Sequence, residues 1–407
     1  MHAEKKLSLF SLPVLVAALG YFVDIYDLLL FSIVRVESLR SLGLDNNMIR
    51  DSGMDIIGHQ MFGLLIGGII WGVMGDKKGR LSVLFGSIIL YSLANIANGF
   101  VQTAEQYSLC RFIAGIGLAG ELGAGITLVS ELIPKEKRGI ATSLVAGIGL
   151  TGAVVAYFIA QVFEWRTCYF IGGGLGLSLL LLRVSVFESG MFKSLQHQNI
   201  SRGNFLMFFS SWHRFRKYFL SILIGLPTWY AIGILVSFSK EFGKEFGIEG
   251  DIDPGKAIMF AYVAIAIGDV LIGLVSQWLQ SRKKALFLFY GITVIAIILY
   301  FRQHGGTPEQ MYAICALLGF GTGFWAIFVT MAAEHFGTNL RATAATTVPN
   351  MVRGALPLIT MLFTFLQGYQ SYLGAAAITG GIVMTITIVA AFFTEETFGK
   401  DLDFIEE

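Results

Sequence analysis

Apolar residues fall along this chain in long blocks separated by short polar turns. Twelve blocks reach the roughly 20 mainly apolar residues that a helix needs to cross the hydrocarbon core of a bilayer. The first six lie at 9–34, 54–74, 81–101, 106–132, 139–163 and 167–183. The second six lie at 218–239, 257–278, 284–302, 309–333, 341–366 and 370–393. The longest connection, 192–217, is polar and basic. The pattern predicts an all-α membrane protein of twelve transmembrane helices: a six-helix bundle over 1–192, a linker over 193–217, and a second six-helix bundle with a short tail over 218–407.

Composition agrees with that reading. Hydrophobic residues make up 55% of the chain and charged residues 14%, with a mean hydropathy of +0.69, so lipid is the solvent the chain requires. A net charge of +1 with no concentrated basic surface excludes a nucleic-acid partner. Cys110, Cys168 and Cys315 lie in apolar stretches without metal-type spacing, and no metal or cofactor motif stands elsewhere. Lys5 and Lys6 lead into the first block without a small-residue cleavage pattern, which predicts an uncleaved first helix. With the N-terminus inside, eight basic residues, Arg35 and Arg40 among them, fall in outer loops; the rest of the loop cations, Arg183 included, fall inside. This bias places both termini in the cytoplasm, in a multi-pass inner (plasma) membrane protein expected to be a monomer.

An internal repeat follows at an offset of roughly 200 residues, the arrangement of duplicated carriers. Glu131 and Arg138 close the fourth helix and open the fifth, and Glu334 and Arg341 stand at the same point of the second half. Gly72 matches Gly273, and Gly120 matches Gly323.

The loop after the second block reads Gly72, Val73, Met74, Gly75, Asp76, Lys77, Lys78, Gly79, Arg80, which resembles the signature G-x-x-x-D-[RK]-x-G-R of the major facilitator superfamily. Glu131, Pro134, Arg138 and Gly139 resemble the E-x-x-P-x-x-x-R-G corner of its sugar porters and their metabolite-carrying relatives, and Asp24, Tyr26 and Asp27 are similar to the first helix of metabolite:proton symporters. The resemblance implies two pseudo-symmetric bundles around a central cavity, alternating access, and secondary transport rather than an enzyme. It also implies that Gly72, Asp76, Arg80, Glu131, Arg138, Glu334 and Arg341 serve gating. In the second half Gln277 stands where the motif acid would be, which leaves a second latch in doubt. The glycines of the fifth helix, Gly147, Gly149 and Gly152, come without the proline usual in drug exporters, favouring uptake over efflux.

Six ionisable residues fall inside the blocks: the acids Asp24, Asp27, Glu121 and Asp269 and the bases Arg111 and Arg353. A charge at mid-bilayer costs at least about 2.5 kcal/mol, so each requires a partner, a water-lined cavity or a proton. Four acids against two bases leave a surplus of two, and desolvation favours the neutral acid, which points to proton coupling through Asp24, Asp27 or Glu121, with Asp27 preferred. Pairing of Asp24 or Asp27 with Arg111 is the structural alternative. Arg353, with Asn350 one turn earlier, offers a fixed fork of donors to a carboxylate or phosphate, or else locks to Asp269. Asp269, Arg111, Tyr26, Gln60, Trp229, Tyr230 and Trp325 complete the candidate substrate contacts. The function expected is proton-coupled symport of a small polar metabolite, a carboxylate or amino acid; a sugar carrier is the alternative.

Overall fold

The structure is a computed structural model that describes residues 11–134, 137–183 and 202–406. Twelve helices among them are long and apolar enough to cross a membrane. They are α1 Leu12–Ser41, α2 Ser52–Lys78, α3 Arg80–Asn98, α4 Ala104–Leu132, α5 Gly139–Val162 and α6 Trp165–Arg183, then α7 Trp212–Val236, α8 Pro254–Leu279, α9 Arg282–Phe301, α10 Pro308–Glu334, α11 Arg341–Gln367 and α12 Tyr372–Phe393. The twelve predicted blocks are all present. The first helix runs past its predicted end at residue 34 to Ser41, which carries Arg35 and Arg40 into the helix rather than into a loop.

Several spans are broken where sequence alone reads them as continuous. α4 divides at Ala119 and Gly120, α10 at Thr322 to Phe324, and α11 at Ala355. α7 divides at Ile224 and Gly225 and ends in a π-helical turn over Ala231–Val236. Pro227 and Pro357 open the segments that follow two of these breaks, where a missing N–H goes unnoticed, whereas Pro349 sits inside the helix Arg341–Gly354. The breaks in α4 and α10 fall at Gly120 and Gly323, the pair matched by the internal repeat.

The repeat also governs how the halves meet. Gly72 of α2 packs on α11 so closely that a Cβ there would stand 3.0 Å from Thr343 Cα, and Gly273 of α8 packs on α5 so that a Cβ would stand 2.8 Å from Ser143 Cβ. Only the lack of a side chain lets these helix pairs cross at such a distance. α2 against α11 and α8 against α5 are thus equivalent seams of a two-fold design. One end of the bundle carries the Asp76–Arg80 motif, Glu131, Glu334 and the C-terminal tail and is called here the motif end; the other is the far end.

Candidate functional site

At mid-bundle, Arg353 of α11 is 2% exposed, and its guanidinium bonds to Asn350 Oδ1 at 3.1 Å and faces the Trp325 ring at 5.6 Å. No carboxylate lies within ion-pair distance of it among the described residues. The expected alternative of an Arg353–Asp269 lock is not formed. Asp269 instead accepts from Ala326 N at 2.9 Å, so its carboxylate caps the second segment of α10, where the helix break leaves backbone donors exposed. Asp269 therefore supports the α10 break through Oδ1, while its Oδ2 has no partner among the described residues. Its service is to hold Trp325, the first residue of that segment, against Arg353. Asn350 also donates across the seam to Ala119 O at 2.9 Å, tying α11 to the break in α4.

The first half holds the remaining charges, in a ladder along α1. Toward the far end, Asp27 pairs with Arg111 at 2.9 Å. Arg111 also donates to Asn95 Oδ1 at 2.5 Å and lies 4.9 Å from the Tyr169 ring centroid. The pairing alternative thus holds for Asp27, with Arg111 as its counter-ion inside the first half. In the middle stands Asp24, fully buried, with neither carboxylate oxygen bonded. The charges that act on it are Arg353, Glu121, Asp27 and Arg183. Toward the motif end, Glu121 is held by Arg183 at 2.5 and 3.0 Å and by Ser87 Oγ at 2.7 Å. Arg183 is a correction to the loop assignment: although it ends α6, it is 1% exposed and turns inward, donating also to Leu84 O. Four mid-bundle acids therefore face three bases, and the surplus of acid is one rather than two.

Three aromatic or amide candidates lie elsewhere. Tyr26 donates to Cys168 O at 2.9 Å and fastens α1 to α6; Tyr230 donates to Ala376 O at 2.7 Å and fastens α7 to α12; Gln60 donates to Leu28 O at 3.3 Å and fastens α2 to α1. Each of these bonds ties two neighbouring helices together. Trp229 is buried with its indole N–H unbonded, as is that of Trp325. Tyr21 and Tyr262, in the electrostatic reach of Arg353, complete the surroundings of the centre; the sequence reading passed over Tyr21.

A cleft of about 640 Å³ opens in the far half between α2, the end of α7 and the outer segment of α11, lined by His59, Met61, Phe62, Phe238, Leu356 and Thr360 among others. Leu356 lies one turn beyond Arg353. At the motif end the seam is closed. Asp76 accepts from Ala342 N at 3.1 Å and from Thr343 N and Oγ1 at 2.8 and 2.7 Å, and so caps the N-terminus of α11 from the opposite half. Capping explains why an acid is required at that motif position: it answers the free donors and the positive end of a helix. Arg80 bonds Glu131 at 2.7 Å and Thr338 O at 3.3 Å, and Arg341 reaches Glu131 at 3.2 Å. The side chain of Arg138 lies outside the described residues. In the second half Arg282 pairs with Glu334 at 2.8 and 3.1 Å, and Glu396 of the tail accepts from Arg282 N at 2.9 Å. A second charged cluster therefore exists without the motif acid, its place taken by the tail.

With two six-helix halves, matching breaks and matching charged corners in place, the sequence comparison is decisive: the Major Facilitator Superfamily model matches residues 17–359. The chain belongs to the Major Facilitator Superfamily. It is 26% identical over 96% of its length to a niacin transporter, NiaP, of Acinetobacter baylyi, covering 95% of that protein. It is 24% identical over 84% of its length to a benzoate transport protein of the same organism, covering 80% of it. Among solved structures the proton:xylose symporter XylE, bound to 6-bromo-6-deoxy-D-glucose, superposes with a TM-score of 0.76 at 16% identity, over 96% of this chain and 97% of that one. This Major Facilitator Superfamily member is a multi-pass membrane transporter of small molecules, not an enzyme.

Proposed function

We propose that this protein takes up a small carboxylate with a flat unsaturated ring, such as an aromatic monocarboxylate, together with a proton. The observation that carries the proposal is Arg353: among the described residues it is a buried guanidinium at mid-bundle bonded only to an amide oxygen, with an indole face beside it and an unbonded carboxylic group, Asp24, in its field. A guanidinium without a carboxylate partner is a receptor for one, since burying it uncompensated is unfavourable. Trp325 supplies the flat apolar surface, and Asn350 fixes the fork. Asp24 carries the coupling proton; Asp27, preferred from sequence, is engaged with Arg111. The niacin and benzoate transporters are named for aromatic carboxylates, which supports the substrate class. The motif end faces the cytoplasm by the positive-inside bias, and Asp76, Arg80, Glu131 and Arg341 close it in this state.

The test is reconstitution into liposomes containing a pH dye, with nicotinate, benzoate, glycine and xylose as probes. Internal acidification on adding nicotinate or benzoate is the expected result. Acidification with xylose alone overturns the carboxylate reading, and entry of labelled nicotinate without acidification overturns the coupling.

A further inference from the structure

The pair Glu121–Arg183 lies against α1 one turn from Asp24. Gly20 makes that approach possible. A Cβ at residue 20 would stand 2.7 Å from Glu121 Oε2 and would overlap Arg183 Nη2. Helical side chains lean toward the helix N-terminus, so the Asp24 carboxyl covers the turn that contains Gly20 and Tyr21. Asp24 and the guanidinium of Arg183 thus converge on one patch of α1, separated by a rise of about 6 Å between residues 20 and 24. Among the described residues, both Asp24 oxygens, Arg183 Nε and the Tyr91 hydroxyl are buried without partners. Tyr91 of α3 is in electrostatic reach of Glu121, Arg183, Asp24 and Asp27. The groups that face this patch are therefore Arg353 from α11, Asp27 from α1 itself, Glu121 from α4, Arg183 from α6 and Tyr91 from α3.

We infer that Arg183 exchanges its carboxylate partner during transport, and that Glu121 is the station through which the Asp24 proton leaves toward the motif end. The inference rests on Asp24 as the proton carrier. In the described state Arg183 neutralises ionised Glu121. As the guanidinium moves to Asp24, the O–H bond of the Asp24 acid breaks and the proton passes by way of the Tyr91 hydroxyl to Glu121, forming a neutral acid there. One proton moves, one cation changes partner, and the net charge of the set is unchanged. Glu121 and Arg183 lie between Asp24 and the motif end, because α4 and α6 both descend toward that end and Arg183 also bonds Leu84 O near the start of α3. Arg183 is a positioning residue in this scheme, and Gly20 is the gap in which it turns.

Net transport needs the carrier to release its proton; exchange of internal for external substrate does not. The experiment compares nicotinate-driven proton uptake with nicotinate counterflow at equal pH on both sides, in liposomes, for wild type, E121Q, R183Q, E121Q/R183Q and G20A. The expected result is a loss of at least tenfold in proton uptake for E121Q and R183Q, a smaller loss for G20A, and counterflow within twofold of wild type throughout. The double variant decides between relay and scaffold: a relay stays broken, whereas a purely structural ion pair is restored when both charges are removed. Proton uptake at the wild-type rate in E121Q/R183Q, or equal losses of uptake and counterflow, overturns the relay while leaving symport intact. Absence of proton uptake in wild type overturns the symport reading and the relay with it.

Discussion

The two halves share a backbone plan and divide the charges unequally. In the first half, five mid-bundle ionisable groups, Asp24, Asp27, Arg111, Glu121 and Arg183, form a ladder along α1. In the second, among the described residues, there are two, Asp269 and Arg353, and they do not pair. At the matched helix breaks, the first half places its own acid, Glu121, directly after Gly120, while the second borrows Asp269 from α8 to cap the segment after Gly323. The same break is thus an ionic station in one half and a support for the indole of Trp325 in the other. Duplicated scaffolds permit this division, because each half keeps the packing glycines and is free to change what the breaks present. On this account the first half handles the proton and the second recognises the carboxylate.

Substitutions can break that contrast, and the largest effect is expected at Arg353. R353Q leaves no fork for a carboxylate and lowers nicotinate uptake in kcat/KM by at least about a hundredfold, roughly 2.7 kcal/mol; R353K, with the charge but not the planar fork, raises KM by about tenfold. Uptake kinetics in liposomes measure both. D27N strands Arg111, so its effect is on stability, a loss of about 3 kcal/mol by thermal unfolding in detergent. D76A uncaps α11 from the opposite half and weakens the closed motif end by about 2 kcal/mol, whereas Q277A at the matched position of the second half changes it by less than about 0.5 kcal/mol. Distances across the motif end between spin labels on α2 and α11 report the population of the open state.

His335 gives the smallest effect and sharpens the comparison at the motif end, where the first half has Leu132 at the matched place. The imidazole lies between Ser221 Oγ at 3.2 Å and Glu395 O at 3.3 Å, just past α10. Burial, aided by the Lys400 charge, pushes it down to about 4. The folded state then excludes a proton that the unfolded chain binds below about 6.5, so this contribution to stability is complete above that value and is lost as pH falls toward 4. Between pH 7 and 5.5 the loss is about 1 kcal/mol, and H335Q removes that share of the pH dependence in thermal unfolding.

Much of this was legible in the chain. The span count, the six-plus-six repeat and the Asp76–Arg80 motif are local or periodic features that need no tertiary contact to be seen. Partners were another matter. Asp76 meets Thr343, far along the chain in the other half, and nothing near Asp76 announces a helix terminus to cap. Arg183 looks like a loop cation because it ends a span, but its long side chain can turn into the bundle as readily as out of it. The partners of Tyr26 and Tyr230 were hidden because spans that are apolar all round carry no stripe to show which face looks inward. The helix breaks that recruit Asp269 and place Glu121 are set by packed glycines, and glycines are abundant throughout the spans.

The most direct test of the division between halves is substrate counterflow and proton uptake measured on the same liposomes for D24N. The account predicts nicotinate counterflow near the wild-type rate, because Arg353 and Trp325 are intact, with substrate-driven proton uptake abolished. Proton uptake at the wild-type level in D24N would contradict it and return the coupling proton to Asp27 and its partner Arg111.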